Sequence, residues 1–146
     1  MGISLQQQLR DALAQARKGR DKARTVLLTS TLSDIRNREI ELGQEAGDDV
    51  VREVLSRGIK QRKESAEQMR AGKREDLAGK EDAEAAALAQ FLPPPMSEEE
   101  VRAIVREIRA EGITQAGPLM GKLIPRIRGR FDGKDANRIV REELAG

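Results

Sequence analysis

The 146 residues include no His, Cys, Trp or Tyr, which removes thiolate nucleophiles, Ser-His-Asp relays and zinc sites built on nitrogen or sulfur. Charge is abundant at 36% yet nearly balanced, 27 basic against 25 acidic residues, so the net +2 does not by itself mark a nucleic-acid binder. Without Cys no disulfide forms, and with no long apolar run and a polar start over Met1–Leu13 the expectation is a soluble cytoplasmic protein with no membrane partner.

Only Phe91 and Phe131 are aromatic, so Leu, Ile, Val and Ala must build the core. The first predicted helix runs from about Ser4 to Lys18: Ser4 and Gln7 make a capping box, Leu5, Leu9, Ala12, Leu13 and Ala16 share a face, and Gly19 stops it. Asp21 caps the second, which continues to about Leu42. Ala23, Val26, Leu27, Thr31 and Ile35 recur there at helical spacing, with Leu28 and Leu32 broadening the stripe. Gly43–Gly47 reads as a turn. The third helix starts at Asp48 or Asp49 and ends at Gly72, turning Val51, Val54, Leu55, Ile59, Arg62, Ala66 and Met69 inward. Gly58 inside it costs about 1 kcal/mol relative to Ala and suits close packing. The fourth, about Arg74 to Phe91, is rich in Ala and Glu, with Leu77, Leu88 and Phe91 as anchors.

Pro93, Pro94 and Pro95 forbid helix continuation and favour a stiff extended segment. The boundary is placed there, between an N-terminal antiparallel helical domain (1–92) and a small three-helix domain (93–146). Ser97 and Glu100 form a second capping box, opening a fifth helix with Val101, Ile104, Val105 and Ile108 inside and Gly112 at its end. A sixth, from about Pro118, buries Leu119, Leu123, Ile124 and Ile127, with Pro125 bending its last turns. A seventh spans about Gly133 to Leu144 on Ala136, Ile139, Val140 and Leu144. No segment sustains a period of two, so the fold class is all-α.

Charge is most lopsided in the last quarter. Between Lys122 and Arg141 the chain carries Lys122, Arg126, Arg128, Arg130, Lys134, Arg138 and Arg141 against only Asp132 and Asp135. Gly129 fits a helix stop and Asp132–Gly133 the cap of the next helix, so the cations gather about a sharp turn. The run Gly129–Lys134 is no P-loop: three residues separate its glycines, Asp135 stands where Ser or Thr is required, and a helix precedes it. What survives is a backbone N–H cradle at the seventh helix flanked by guanidinium groups, with Arg128 and Arg130 expected in solvent. Gly129, Asp132 and Gly133 shape the turn in either case.

Other clusters have simpler readings. Over Arg52–Arg74 eight basic residues face three acidic ones, the pattern of a solvated helix face. Asp48–Asp49, Glu75–Asp76 and Glu98–Glu100 lie near predicted helix starts, where carboxylates complement the dipole, and Glu81–Asp82 is expected in solvent. The six serines show no nucleophile elbow, and no catalytic residue, metal site or cofactor is assigned. With two Phe and no Tyr or Trp, RNA would be read through its backbone and shape.

The residues resemble the GatB/YqeY-like family along essentially the whole chain. The likeness lies in Asp21-Lys22-Ala23-Arg24, Gln61–Ser65, Gly72–Leu77 with Lys80-Glu81, Phe91-Leu92-Pro93, Ser97–Val101 and Met120-Gly121-Lys122 through Gly129–Lys134 to Asn137 and Val140. The resemblance implies a helical domain followed by one similar to the tail of the B subunit of tRNA-dependent amidotransferases. That tail is associated with tRNA recognition, while the glutamine-dependent carbon–nitrogen ligase chemistry lies elsewhere. The family usually carries Tyr where Phe91 stands and fewer prolines after Pro93. No catalytic residue carries over.

The implied role is a non-catalytic tRNA-binding or accessory module, with amidotransferase or aminoacyl-tRNA synthetase complexes as further candidate partners. Arg126, Arg128, Arg130 and Lys134 would contact phosphates, with Lys122, Arg138 and Arg141 outside them. Charge reversal at Arg17 and Lys18 is expected to matter much less. The alternative is a protein–protein adapter docking an acidic partner or the amidotransferase, and an amidotransferase activity of its own stands third.

Overall fold

The computed structural model describes residues 2–146, in which seven helices and no strand occur. They are α1 (Leu5–Lys18), α2 (Lys22–Leu42), α3 (Asp48–Ala71), α4 (Glu75–Ala89), α5 (Glu98–Ala110), α6 (Ala116–Ile127) and α7 (Gly133–Ala145). Contacts gather the chain into two compact units that divide between Leu92 and Pro93.

The core of the first unit is a seam of Leu5, Leu9 and Leu13 from α1, Leu27, Leu28 and Ile35 from α2, Val51 and Leu55 from α3, and Leu88 from α4. Burial of each such side chain contributes about 1.5–3 kcal/mol against chain entropy. Thr31 is buried among them, and its hydroxyl donates to the Leu27 carbonyl, so the polar group is satisfied. The α2 stripe is narrower than its spacing suggests: Ala23 is exposed and Val26 is 69% exposed, beyond the reach of the neighbouring helices.

Helix starts hold as their sequences dictate, with one exchange. Ser4 Oγ accepts from the Gln7 amide at 3.1 Å, but the Gln7 side chain reaches forward to Asp11 and leaves the reciprocal half of the capping box unmade. The Leu5 amide is taken instead by Asp48 Oδ1 at 2.9 Å, so the first residue of α3 also caps α1.

Small residues carry the α3–α4 hairpin. Ala66, Ala78 and Ala85 are buried between the two helices, whereas Leu77, an expected anchor, is 37% exposed. A Cβ on Gly58 would stand 3.4 Å from Leu88 Cδ1 and 3.2 Å from Arg62 Nη1, so close approach is what this glycine permits. Arg62, expected among the inward residues, keeps its head half-buried by donating to Glu84 Oε2 at 3.0 Å and to the Gly58 carbonyl.

Two corners repeat one device. After α1 the Asp21 amide bonds to Ala16 O and the Arg20 amide to Arg17 O; after α3 the Arg74 amide bonds to Met69 O and the Lys73 amide to Arg70 O. These are Schellman closures, and their left-handed residues are Arg20 (φ 55°) and Lys73 (φ 61°), each one position past the glycine.

In the second unit Val101, Ile104, Val105 and Ile108 of α5 meet Leu119, Leu123 and Ile127 of α6 and Ala136, Ile139 and Val140 of α7. Ile124 and Leu144 pack at the margin of this core and are only partly buried. Pro125 is accommodated inside α6, three residues before its cap.

Candidate nucleic-acid interface

The α6–α7 turn is built by its glycine and its aspartate. Gly129 takes φ 76°, a conformation that costs about 1–2 kcal/mol for other residues. The amides of Arg130 and Phe131 then both bond to the Ile127 carbonyl. Asp132 is the N-cap of α7 and accepts from the Lys134 amide, while Phe131 folds back onto the core of the unit.

The seven cations do not form one free surface. Arg126 Nη1 lies 3.0 Å from Glu107 and Lys122 Nζ 3.4 Å from Glu111, both on or next to α5. Arg138 is held by Glu98 and by Glu142. Arg128 and Arg130 are half-buried, correcting the expectation that both stand in solvent. The cause is visible for Arg130: its Nε donates to the Pro94 carbonyl at 3.0 Å, and its own carbonyl accepts the Met96 amide at 2.8 Å. The proline segment is thus clamped to the turn from both sides. Lys134 and Arg141 are exposed and make no ion pair among the described residues.

Most of the ion pairs of the second unit cross from α5 to its neighbours. Arg102 and Arg106 both reach Glu143, whose side chain is only 11% exposed, and Arg102 also reaches Glu142 at 2.9 Å. Hydrogen bonding from Arg106 holds the Glu143 carboxyl below its ordinary value, despite opposing desolvation. Arg102, then Arg138, does the same for Glu142. Arg109 Nη1 caps the Glu143 carbonyl at 2.6 Å. Sequence reading misses this α5–α7 ladder; its only trace is the i, i+4 repeat of Arg102 and Arg106, which puts both on one helix face.

The α3 cluster is half neutralised: Arg52 and Arg62 pair with Asp49 and Glu84, whereas Arg57, Lys60, Lys63 and Lys73 make no ion pair among the described residues. Arg70 pairs with Glu75 and Asp82, and Arg74 with Asp76. Asp82 and Glu81 are half-buried at the helix seam, correcting the expectation of solvent exposure.

These features define an all-helical protein whose second unit presents a glycine-shaped, partly neutralised basic turn. The chain belongs to the family of Yqey-like proteins, whose model matches residues 6–144. It is 31% identical over 129 residues to Altered inheritance of mitochondria protein 41, mitochondrial, of Saccharomyces cerevisiae, covering 86% of this chain and 69% of that protein. It is 39% identical over 75 residues to a glutamyl-tRNA(Gln) amidotransferase subunit of Methanospirillum hungatei, covering 46% of this chain and 12% of that relative. An uncharacterized protein of Schizosaccharomyces pombe is 37% identical over 90 residues, 62% of this chain and 73% of the relative. No helix among the described residues is long and apolar enough to cross a membrane.

Proposed function

We propose that this protein is a non-catalytic accessory of tRNA-dependent amidation, and that its second unit contacts the tRNA backbone through the α6–α7 turn. The observation that carries the reading is the similarity to part of a glutamyl-tRNA(Gln) amidotransferase. The turn supports it with two exposed cations, Lys134 and Arg141, on the helix that Asp132 caps. Arg128 and Arg130 serve as shape-setting neighbours more than as mobile phosphate ligands. Lys122, Arg126 and Arg138 already have carboxylate partners and would have to exchange them for phosphate. A cytoplasmic location belongs to the same reading.

Phosphate binding releases counterions, so affinity for a purified tRNA should fall steadily as salt rises. Replacing Lys134 and Arg141 together by Glu should weaken it about tenfold, with the salt slope reduced by about 2. Both side chains are exposed, and a Glu at position 134 lies in the first turn of α7, where the dipole favours it. Unchanged affinity in a correctly folded double variant would remove the turn as the site. The pairing of three of the seven cations favours a second reading, in which the unit docks on a protein of the amidation machinery. Absence of any salt-sensitive tRNA binding by the wild type selects that reading.

A further inference from the structure

The densest run of cations without ion-pair partners lies elsewhere, at the α1–α2 corner. Between Asp11 and Asp34 the chain carries Arg17, Lys18, Arg20, Lys22 and Arg24 against Asp21 alone. The Asp21 carboxylate is engaged as the α2 cap, accepting the Arg24 amide at 3.0 Å. Arg24 is half-buried and lies 5.9 Å from the centroid of the Phe91 ring. The other four are exposed, and none makes an ion pair among the described residues.

Arg17 and Lys18 have a local explanation, since they sit in the last turn of α1 and complement its dipole. Arg20 and Lys22 have none. Arg20 occupies a left-handed conformation that glycine fills without strain, directly after a glycine that does not use it. Lys22 is the first residue of α2, at the positive end of the dipole, in a first turn with no acidic residue. Two neighbouring cations therefore stand where local preference disfavours them, Arg20 by backbone strain and Lys22 by the dipole, the kind of local conflict expected at functional sites.

We propose that Arg17, Lys18, Arg20 and Lys22 form a second phosphate-binding surface for RNA. A protein partner would want an apolar centre, and a bilayer an apolar wedge. Beside these cations stands a single large exposed apolar side chain, Val26, one turn beyond Lys22. That is too little for either, whereas a phosphate backbone asks only for cations. The inference rests on the RNA-binding reading for its ligand. It replaces the sequence expectation that reversal at Arg17 and Lys18 matters little.

The test uses Arg20→Gly/Lys22→Glu, in which both changes remove positive charge while suiting the backbone better. This variant should melt about 2–6 °C higher than wild type. It should bind labelled tRNA about tenfold more weakly at low salt, with the salt slope lowered by about 2. Arg17→Gln/Lys18→Gln, checked for helicity by circular dichroism, should lose affinity in the same direction and guards against a folding artefact. Affinities within twofold of wild type for both variants overturn the proposal. If they stay there while Lys134→Glu/Arg141→Glu weakens binding, the α6–α7 turn stands and this surface falls. The reverse pattern keeps this surface and removes the turn. Wild-type protein with no salt-sensitive tRNA binding overturns both.

Discussion

Lys73 and Gly129 occupy the same left-handed region of backbone space, at φ 61° and 76°, with opposite consequences for substitution. A side chain there costs about 1–2 kcal/mol, partly offset in glycine by its greater freedom in the unfolded chain. Lys73→Gly should therefore stabilise the protein by about 0.5 kcal/mol, and Gly129→Ala should destabilise it by about 1 kcal/mol. Urea denaturation of the two variants beside wild type measures both; destabilisation by Lys73→Gly would mean that its side chain holds the corner. The glycines at 19, 43, 72, 112 and 129 mark every helix stop that the sequence suggests at a glycine. The sequence does not say which residue turns left-handed. At Gly43, Gly112 and Gly129 it is the glycine, and after Gly19 and Gly72 it is the next residue. The closing bond is the same in both cases, an amide reaching back five residues to Glu39, Ala16 or Met69, so the choice depends on the residue at which the last helical turn ends, which composition does not carry.

At the scale of elements, helix limits are legible because caps and stops are local, and pairing between helices is not. The i, i+4 spacing of Arg102 and Arg106 shows that they share a face, but that Glu142 and Glu143 meet them depends on how α7 is rotated against α5. The α3–α4 seam escapes sequence reading for a related reason: alanine packs by closeness, so Ala78 and Ala85 are buried while the larger Leu77 is partly exposed. The ladder has a pH signature. Glu143 has its pKa lowered on folding, chiefly by Arg106, so it favours the folded state above its ordinary value of 4.5 and loses that contribution as pH falls through the folded value. Glu142 behaves alike, through Arg102. Thermal stability should thus fall on acidification below about pH 4.5. Glu143→Gln should lower Tm at pH 7 and lower it by less at pH 3, where part of the carboxylate's contribution has been lost. An equal drop at both pH values would assign Glu143 a packing role alone. Low salt is the condition for this measurement, since the pairs at the rim are screened.

At the scale of the whole molecule, the proline run that suggests a boundary falls beside the division between the two compact units, yet its own allegiance is not readable from sequence. Pro93, Pro94 and Pro95 read as a linker by composition. The structure gives them a hold: Arg130 Nε donates to the Pro94 carbonyl, and the Arg130 carbonyl accepts the Met96 amide. We propose that the second unit folds on its own and that this segment is part of it. A fragment of residues 93–146 lies near the lower size limit for independent folding, where one anchored strand of backbone is a sizeable share of the margin. It should give a helical circular dichroism spectrum and a cooperative melt. A fragment starting at Glu98 loses both hydrogen bonds to Arg130 and the Ser97 cap, whose Oγ accepts the Glu100 amide at 3.1 Å. The lost cap alone costs about 1 kcal/mol, and each hydrogen bond adds about as much. The shorter fragment should therefore melt at least 5 °C lower, or not cooperatively at all, given about 4–8 °C per kcal/mol in units of 60–100 residues. Identical melts would reduce the proline segment to a passive tether. A random-coil spectrum from residues 93–146 would show that the three helices need the N-terminal unit to fold.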